Sequence, residues 1–250
     1  MNDEYGLAPL AVVLASGSGK RLGQPEQPKH LVNLHGVPIV AWTLNTLLES
    51  GRISGIVVVT QDQYLDETRQ KIFSHLGDQS GRLFFAVGQP ERMDSFLAGF
   101  TTLESEFQMD EKALVLLVDA NRPLFSRLQL EKLILAGSKS GAACLARPVV
   151  NGIAEIAGSK IITVPEKERY FEFVTPEILR SQHVREALRS EEPLPRSLVE
   201  IALELNIQPE IVSSSNLNMK LTYPEDIAQL HSIRLPEGSS IPKNAFHVQE

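Results

Sequence analysis

Ala15-Ser16-Gly17-Ser18-Gly19-Lys20-Arg21 directly follows a short apolar run, Leu10 to Ala15, and carries the clearest chemistry in this sequence. Small residues let several backbone N–H groups approach an anion, and open α/β sheets bind ligands beyond the carboxyl ends of their strands. Lys20, Arg21 and, a few residues on, Lys29 add three cations, a set suited to a triphosphate. Neither familiar nucleotide motif fits. A P-loop needs GxxxxGK[ST], but Lys20 is followed by arginine; a dinucleotide fingerprint needs a third glycine where Leu22 stands. A solvated turn with scattered lysines is the plain alternative.

Asp119-Ala120-Asn121-Arg122-Pro123 closes the most apolar run of the chain, Ala113 to Val118. A carboxylate at the end of a buried strand sits where it can hold Mg²⁺, and Arg122 could pair a phosphate, although Asp and Pro are also common turn residues. Glu91-Arg92-Met93-Asp94-Ser95, after Gly88-Gln89-Pro90, reads equally well as an ordinary helix start with acidic first-turn residues. Lys220, in Asn218-Met219-Lys220-Leu221-Thr222, has no role that spacing can assign. The histidines, at positions 30, 35, 75, 183, 231 and 247, show no metal-ligand spacing.

These segments need a scaffold that brings strand ends together. Ile56 to Thr60, Leu83 to Val87 and Ala142 to Ala146 join the two runs above as short two-sided apolar segments, the pattern of parallel strands covered on both faces. Helical stretches alternate with them: Val40 to Leu48, Tyr64 to His75, Asp94 to Leu103 and Leu128 to Ala136. The expected fold is therefore α/β, with a doubly wound, mostly parallel sheet and right-handed crossovers. Gly152 to Ile156 and Lys160 to Val164, joined by Ala157-Gly158-Ser159, read as a hairpin projecting from the sheet, within an arm of about 147–173. Its edges need cover, which a second subunit would supply. Helices are expected at Pro176 to Leu188 and Leu198 to Leu205, a strand at Ile207 to Val212, and a final helix opened by Thr222-x-x-Glu225 with Pro224. Cys144 reads as a buried strand residue, Trp42 as a helix residue packed on the sheet, and Phe171 and Phe173 as core in preference to a surface contact.

Length and charge bound the rest. The 250 residues fit a single domain, 1–234, with a loose tail at 235–250. Lys+Arg 24 against Asp+Glu 31 leaves a net charge of −7, which disfavours nucleic acid or an anionic membrane surface as partner. One cysteine excludes a disulfide framework, no apolar run approaches a membrane span, and the acidic start is not a signal n-region, so a cytoplasmic location is expected.

Taken together, AVVLASGSGKRLGQPEQPKHLVNLHGVPIVAWTL, GQPERMDSFLAGF, VLLVDANRP, TPEIL and NMKLTYPEDI, in this order and at these separations, resemble the cytidylyltransferases that act on methylerythritol 4-phosphate and ribitol 5-phosphate. The likeness spans roughly residues 10 to 233. It implies a Rossmann-like fold of the nucleotide-diphospho-sugar transferase type, with a protruding β-arm that forms a homodimer. It implies that CMP passes from CTP to a small polyol phosphate with release of pyrophosphate and with Mg²⁺ as cofactor. Arg21, Lys29 and Lys220 would then be the catalytic cations. Ala15, Ser16, Gly17, Ser18, Gly19, Arg92, Ser95, Asp119 and Ala120 would bind the nucleotide, with Asp119 also at the metal. Arg122, Lys167, Thr175 and Thr222 would face the acceptor.

The sequence departs from the family pattern mainly on the acceptor side. Val118 stands where a histidine is usual, Asn121 replaces a small residue, and Pro90 replaces an acidic one near the base. Asn151-Gly152 replaces an Asp-Thr pair, and Lys167 aligns with the arm arginine. Lysine is not equivalent to arginine at a bidentate phosphate site. The nearest expectation is methylerythritol 4-phosphate as acceptor. Ribitol 5-phosphate, another sugar phosphate, UTP as donor, or an idle nucleotide-binding homologue serving as a partner domain remain as alternatives.

Overall fold

The computed structural model describes residues 8–17, 19–22, 27–79, 81–189 and 195–233, without the Lys20 side chain. In chain order the elements are β1 (Leu10–Leu14), β2 (Asn33–Leu34), β3 (Val37–Pro38), α1 (Ile39–Glu49), β4 (Gly55–Thr60), α2 (Leu65–Leu76), β5 (Leu83–Val87), α3 (Arg92–Glu106) and β6 (Leu114–Asp119). There follow α4 (Arg127–Ser140), β7 (Ala142–Pro148), β8 (Glu155–Ala157), β9 (Lys160–Thr163), β10 (Phe171–Arg180), α5 (Ser181–Leu188), α6 (Leu198–Glu204), β11 (Glu210–Ser213) and α7 (Pro224–Ser232). Among the described residues the main sheet has seven strands in the order β11-β7-β10-β6-β1-β4-β5. All neighbours are parallel except β10, which runs antiparallel between β6 and β7.

The strand sequences explain why the sheet is covered twice. Along β1 and β6 successive apolar residues alternate between two cores. Ala11, Val13, Leu116 and Val118 face the side of α1, α2 and α4, whereas Val12, Val115 and Leu117 face the side of α3 and α6. Period-two alternation of apolar side chains on both faces is what a doubly wound sheet requires. Ser126 caps α4 by accepting the Gln129 N–H, while the Gln129 side chain accepts the Ser126 N–H.

Several expectations need correction. Pro176 to Arg180 is not helical but the second half of β10; helix starts only at Ser181. Ile178 and Leu179 point into opposite cores, so this segment fills the gap between β6 and β7. Pro176, Glu177 and Arg180 interrupt the apolar pattern here, and so short a mixed segment carries no periodicity that separates strand from helix. Phe171 and Phe173 are not core: both are nearly half exposed at the start of β10, where the strand leaves the cover of the helices. Trp42 is buried but packs away from the sheet, in a third apolar cluster with Leu34, Val37, Leu221 and Leu230, and its Nε1 donates to the Leu34 carbonyl. The strand expected at Ile207 is confined to β11. The last helix is capped one residue later than anticipated, Asp226 accepting the N–H groups of Thr222 and Tyr223. The arm hairpin is present as the pair β8–β9, shorter than its apolar pattern. The tail at 235–250 lies outside the described residues.

Candidate active site

Because β1, β4, β5 and β6 are parallel, their carboxyl ends open onto one edge of the sheet. There they border a cavity of about 760 Å³. Its lining includes Ala15, Ser16, Gly17, Gly19, Arg21, Lys29, Arg92, Ser95, Asp119, Ala120 and Lys220. Every residue expected on the nucleotide side or among the catalytic cations is thus brought together, apart from Ser18, which lies outside the described residues.

The first loop is shaped by local constraints. Gly19 has φ +65, a left-handed conformation that favours glycine, and its carbonyl accepts the Leu22 N–H at 2.8 Å. Gly88 lets the loop after β5 lie directly against this one, since a Cβ there would sit 2.5 Å from the Ser16 Cβ. Ser95, fully buried, donates to the Gln89 carbonyl and accepts the Gln89 N–H, both at 2.9 Å; its Oγ also accepts a hydrogen bond from the Ser16 hydroxyl at 3.1 Å. Gln61 Nε2 donates to the Ser16 carbonyl at 2.9 Å. Sequence reasoning missed Gln61 and Gln89 as lining residues, because a lone amide after a strand looks like any surface turn.

Asp119 ends β6 with its side chain buried and its backbone N–H donated to Thr175 Oγ1. Lys220 Nζ donates to Asp119 Oδ2 at 2.8 Å, and Arg92 Nη2 donates to Oδ1 at 3.3 Å. Arg122 Nε, which has no hydrogen-bond partner among the described residues, lies 3.5 Å from Oδ2. Burial alone would push this carboxyl up; Lys220, Arg92 and Arg122 outweigh it and hold the group well below the ordinary carboxylate range. Asp119 is therefore an anion throughout the physiological range. Lys29 shows the converse effect: burial first, then the charges of Arg21 and Lys220 at the same cavity, lower its pKa.

The segment 218–223 organises this cluster. Asn121 Nδ2 donates to the Leu221 carbonyl at 2.7 Å, the Leu221 N–H returns a bond to the Asn121 carbonyl, and Arg122 Nη1 donates to the Asn218 carbonyl. Thr43 of α1 braces the loop after β6, on which this segment rests, by donating to the Ala120 carbonyl at 2.9 Å. So anchored, the segment presents Lys220 to Asp119. Its Thr222 carbonyl accepts Lys29 Nζ at 3.0 Å, and the Tyr223 ring lies 5.9 Å from the Arg21 guanidinium carbon.

The residues expected at the acceptor are placed differently. Arg122, Lys167, Thr175 and Thr222 do not line the cavity. Arg122 is largely buried under Asp119, and Thr175 is buried beneath the end of β6. The Thr222 hydroxyl donates to the Lys220 carbonyl, while Lys167, in the arm, donates to the Val150 carbonyl at 3.0 Å.

Comparison with known proteins bears on what such a cavity serves. A family model described as 2-C-methyl-D-erythritol 4-phosphate cytidylyltransferase matches residues 10–234. The chain belongs to this family. An Azoarcus sp. (strain BH72) cytidylyltransferase of that description is 32% identical over 224 residues, covering 87% of this chain and 90% of the relative. A Nitrosomonas eutropha relative is 30% identical over 226 residues, covering 87% and 93%. Among solved structures, a 4-diphosphocytidyl-2C-methyl-D-erythritol synthase aligns with a TM-score of 0.74 at 18% identity, covering 90% of this chain and 98% of that one. The corresponding synthase from Anaerococcus prevotii gives 0.71 at 20% identity, covering 90% and 95%. These structural likenesses speak to the fold, the mostly parallel α/β sheet with flanking helices.

Proposed function

We propose that this chain transfers CMP from CTP to the phosphate of 2-C-methyl-D-erythritol 4-phosphate, releasing pyrophosphate, a step of isoprenoid precursor synthesis. The observation that carries the reading is that Arg21, Lys29, Lys220 and buried Asp119 line one cavity over the strand ends, with Lys220 on the carboxylate. An oxygen of the acceptor phosphate attacks the α-phosphorus of CTP. The new P–O bond forms as the bond to the β-phosphate oxygen breaks, and pyrophosphate leaves with that electron pair. The acceptor phosphate has a second pKa of about 6, so it is mostly ionised at neutral pH and needs no general base. The protein supplies position and positive charge. Arg21 and Lys29 flank the first loop and neutralise the triphosphate, and Lys220 stabilises charge at the pentavalent phosphorus.

Asp119 fits a Mg²⁺ ion. It is buried, ionised and at the cavity wall. Magnesium commonly takes one or two protein carboxylates and completes its shell with phosphate oxygens and water. When bound, the ion adds charge neutralisation at the triphosphate.

The arm supports a homodimer. Ile156, Ile161, Ile162 and Val164 are each more than 60% exposed on or beside a two-stranded hairpin, an apolar surface that a second copy would cover. No helix among the described residues is long and apolar enough to cross a membrane; a cytoplasmic location is part of the same proposal.

A second acceptor, ribitol 5-phosphate or another polyol phosphate, is favoured by one observation. Lys167, at the position of the arm arginine, spends its amine on the Val150 carbonyl within its own arm. The deciding experiment incubates the protein with CTP, Mg²⁺ and each polyol phosphate in turn and identifies CDP-linked products by mass spectrometry. Product from methylerythritol 4-phosphate supports the main reading, product from another polyol phosphate alone supports the second, and product from none leaves an idle homologue.

A further inference from the structure

Glu177 is a buried carboxylate with no part in the mechanism above. It sits in the middle of β10, opposite Leu117 of β6 and Cys144 of β7, and is 2% exposed. A carboxylate in such a place is costly unless something opposes its charge. Two things do. Glu177 Oε2 accepts the Val199 N–H at 3.2 Å, which fixes the carboxylate against α6, and Oε1 lies 3.7 Å from Arg92 Nη2.

Arg92 needs such a partner. It is the first residue of α3, where the helix dipole disfavours a cation, and its long side chain has much rotamer freedom to lose. Its other contacts are Nη1 to the Arg196 carbonyl at 3.0 Å and Nη2 to Asp119 Oδ1 at 3.3 Å. Asp119, however, is shared with Lys220 and Arg122. A ligand that draws on Asp119 weakens its hold on Arg92; Glu177, shielded from the cavity, keeps its own. Burial pushes the Glu177 carboxyl up to about 7, against the pull of Arg92, so the pair is fully charged only in mildly alkaline solution.

We infer that Glu177 is a positioning residue: anchored by the start of α6, its carboxylate holds the Arg92 guanidinium at the wall of the nucleotide cavity independently of Asp119. The inference rests on the cavity's being a CTP site, and the test separates the two. CTP binding in the presence of Mg²⁺ is measured by titration calorimetry at pH 8.5 for wild type, Glu177→Gln, Arg92→Ala and the double variant. Glu177→Gln keeps shape and an acceptor oxygen but removes the charge. The expected result is a loss of CTP affinity on the order of tenfold in Glu177→Gln, absent when the substitution is made on Arg92→Ala. Unchanged affinity in Glu177→Gln, or an equal loss on either background, overturns the inference while leaving the CTP site in place. Wild-type protein that binds no CTP overturns both. Should Glu177→Gln not fold, Glu177→Asp, which keeps the charge but withdraws it from Arg92, enters the same cycle with the same expected pattern.

Discussion

Lys220 Nζ lies 2.8 Å from Asp119 Oδ2, across 101 residues of chain, and this contact ties the last loop of the domain to the end of its central strand. The lysine thereby stands beside the ionised carboxylate that a metal-bound triphosphate would meet. Removing one preorganised charge of this kind typically costs about 3 kcal/mol in the transition state, on the order of 100-fold in rate. Lys220→Ala is expected to lower kcat by that factor. Its Tm should change little, because the lysine is partly exposed and Asp119 retains Arg92 and Arg122. A pyrophosphate-release assay beside a thermal melt checks both halves.

Asn121 makes a prediction that a purely catalytic view of the loop would not. Its side chain holds the Leu221 carbonyl and touches none of the three catalytic cations, so Asn121→Ala loosens the segment carrying Lys220 without removing any charge. The expected outcome is a stability loss of about 1 kcal/mol by urea unfolding, with kcat reduced more than CTP affinity.

Two buried groups impose opposite pH dependences on stability. His30, between Thr68 and Thr60, is lowered by burial to about 4 from an ordinary 6.5. The unfolded chain therefore takes up a proton that the folded one refuses, and stability is full above 6.5 and falls as pH drops toward 4. Glu177, raised by burial from 4.5 to about 7, behaves in the reverse sense. The folded chain keeps a proton that the unfolded one has lost, so this contribution is full below 4.5 and disappears as pH rises through 7. Each amounts to about 3 kcal/mol over its window, and they largely cancel. Denaturant unfolding at pH 4.5 and 7.5 should show Glu177→Gln losing stability in acid more steeply than wild type, and His30→Gln less steeply.

The arm predicts its own phenotype. Ile161→Asp with Ile162→Asp places charge on an exposed hairpin that packs against none of the three apolar cores, so the domain should stay folded. Analytical ultracentrifugation is expected to find wild type as a dimer and this variant as a monomer. A monomeric wild type would contradict the homodimer.

Much of this was legible in the sequence, for reasons tied to particular residues. The glycine loop and Asp119 could be found because each follows an apolar run, and a polar group after a buried strand marks the binding edge of a parallel sheet. Lys220 could not, since a lysine between Met219 and Leu221 resembles any surface residue until the chain closes on Asp119; only the family likeness pointed to it. Arg122 is read from its place after Asp119 as a phosphate partner, and the sequence could not show that the fold turns it inward onto Asp119 and the Asn218 carbonyl. Glu177 was hidden for a related reason: the segment around it reads as helix from sequence, and a carboxylate's burial is decided by strands far away in the chain.

The most direct measurement is a crystal structure with Mg²⁺ and a CTP analogue that cannot release pyrophosphate. The triphosphate should lie within hydrogen-bonding distance of Arg21, Lys29 and Lys220, with the metal on Asp119. A nucleotide bound elsewhere, or phosphates that leave these three cations untouched, would contradict it.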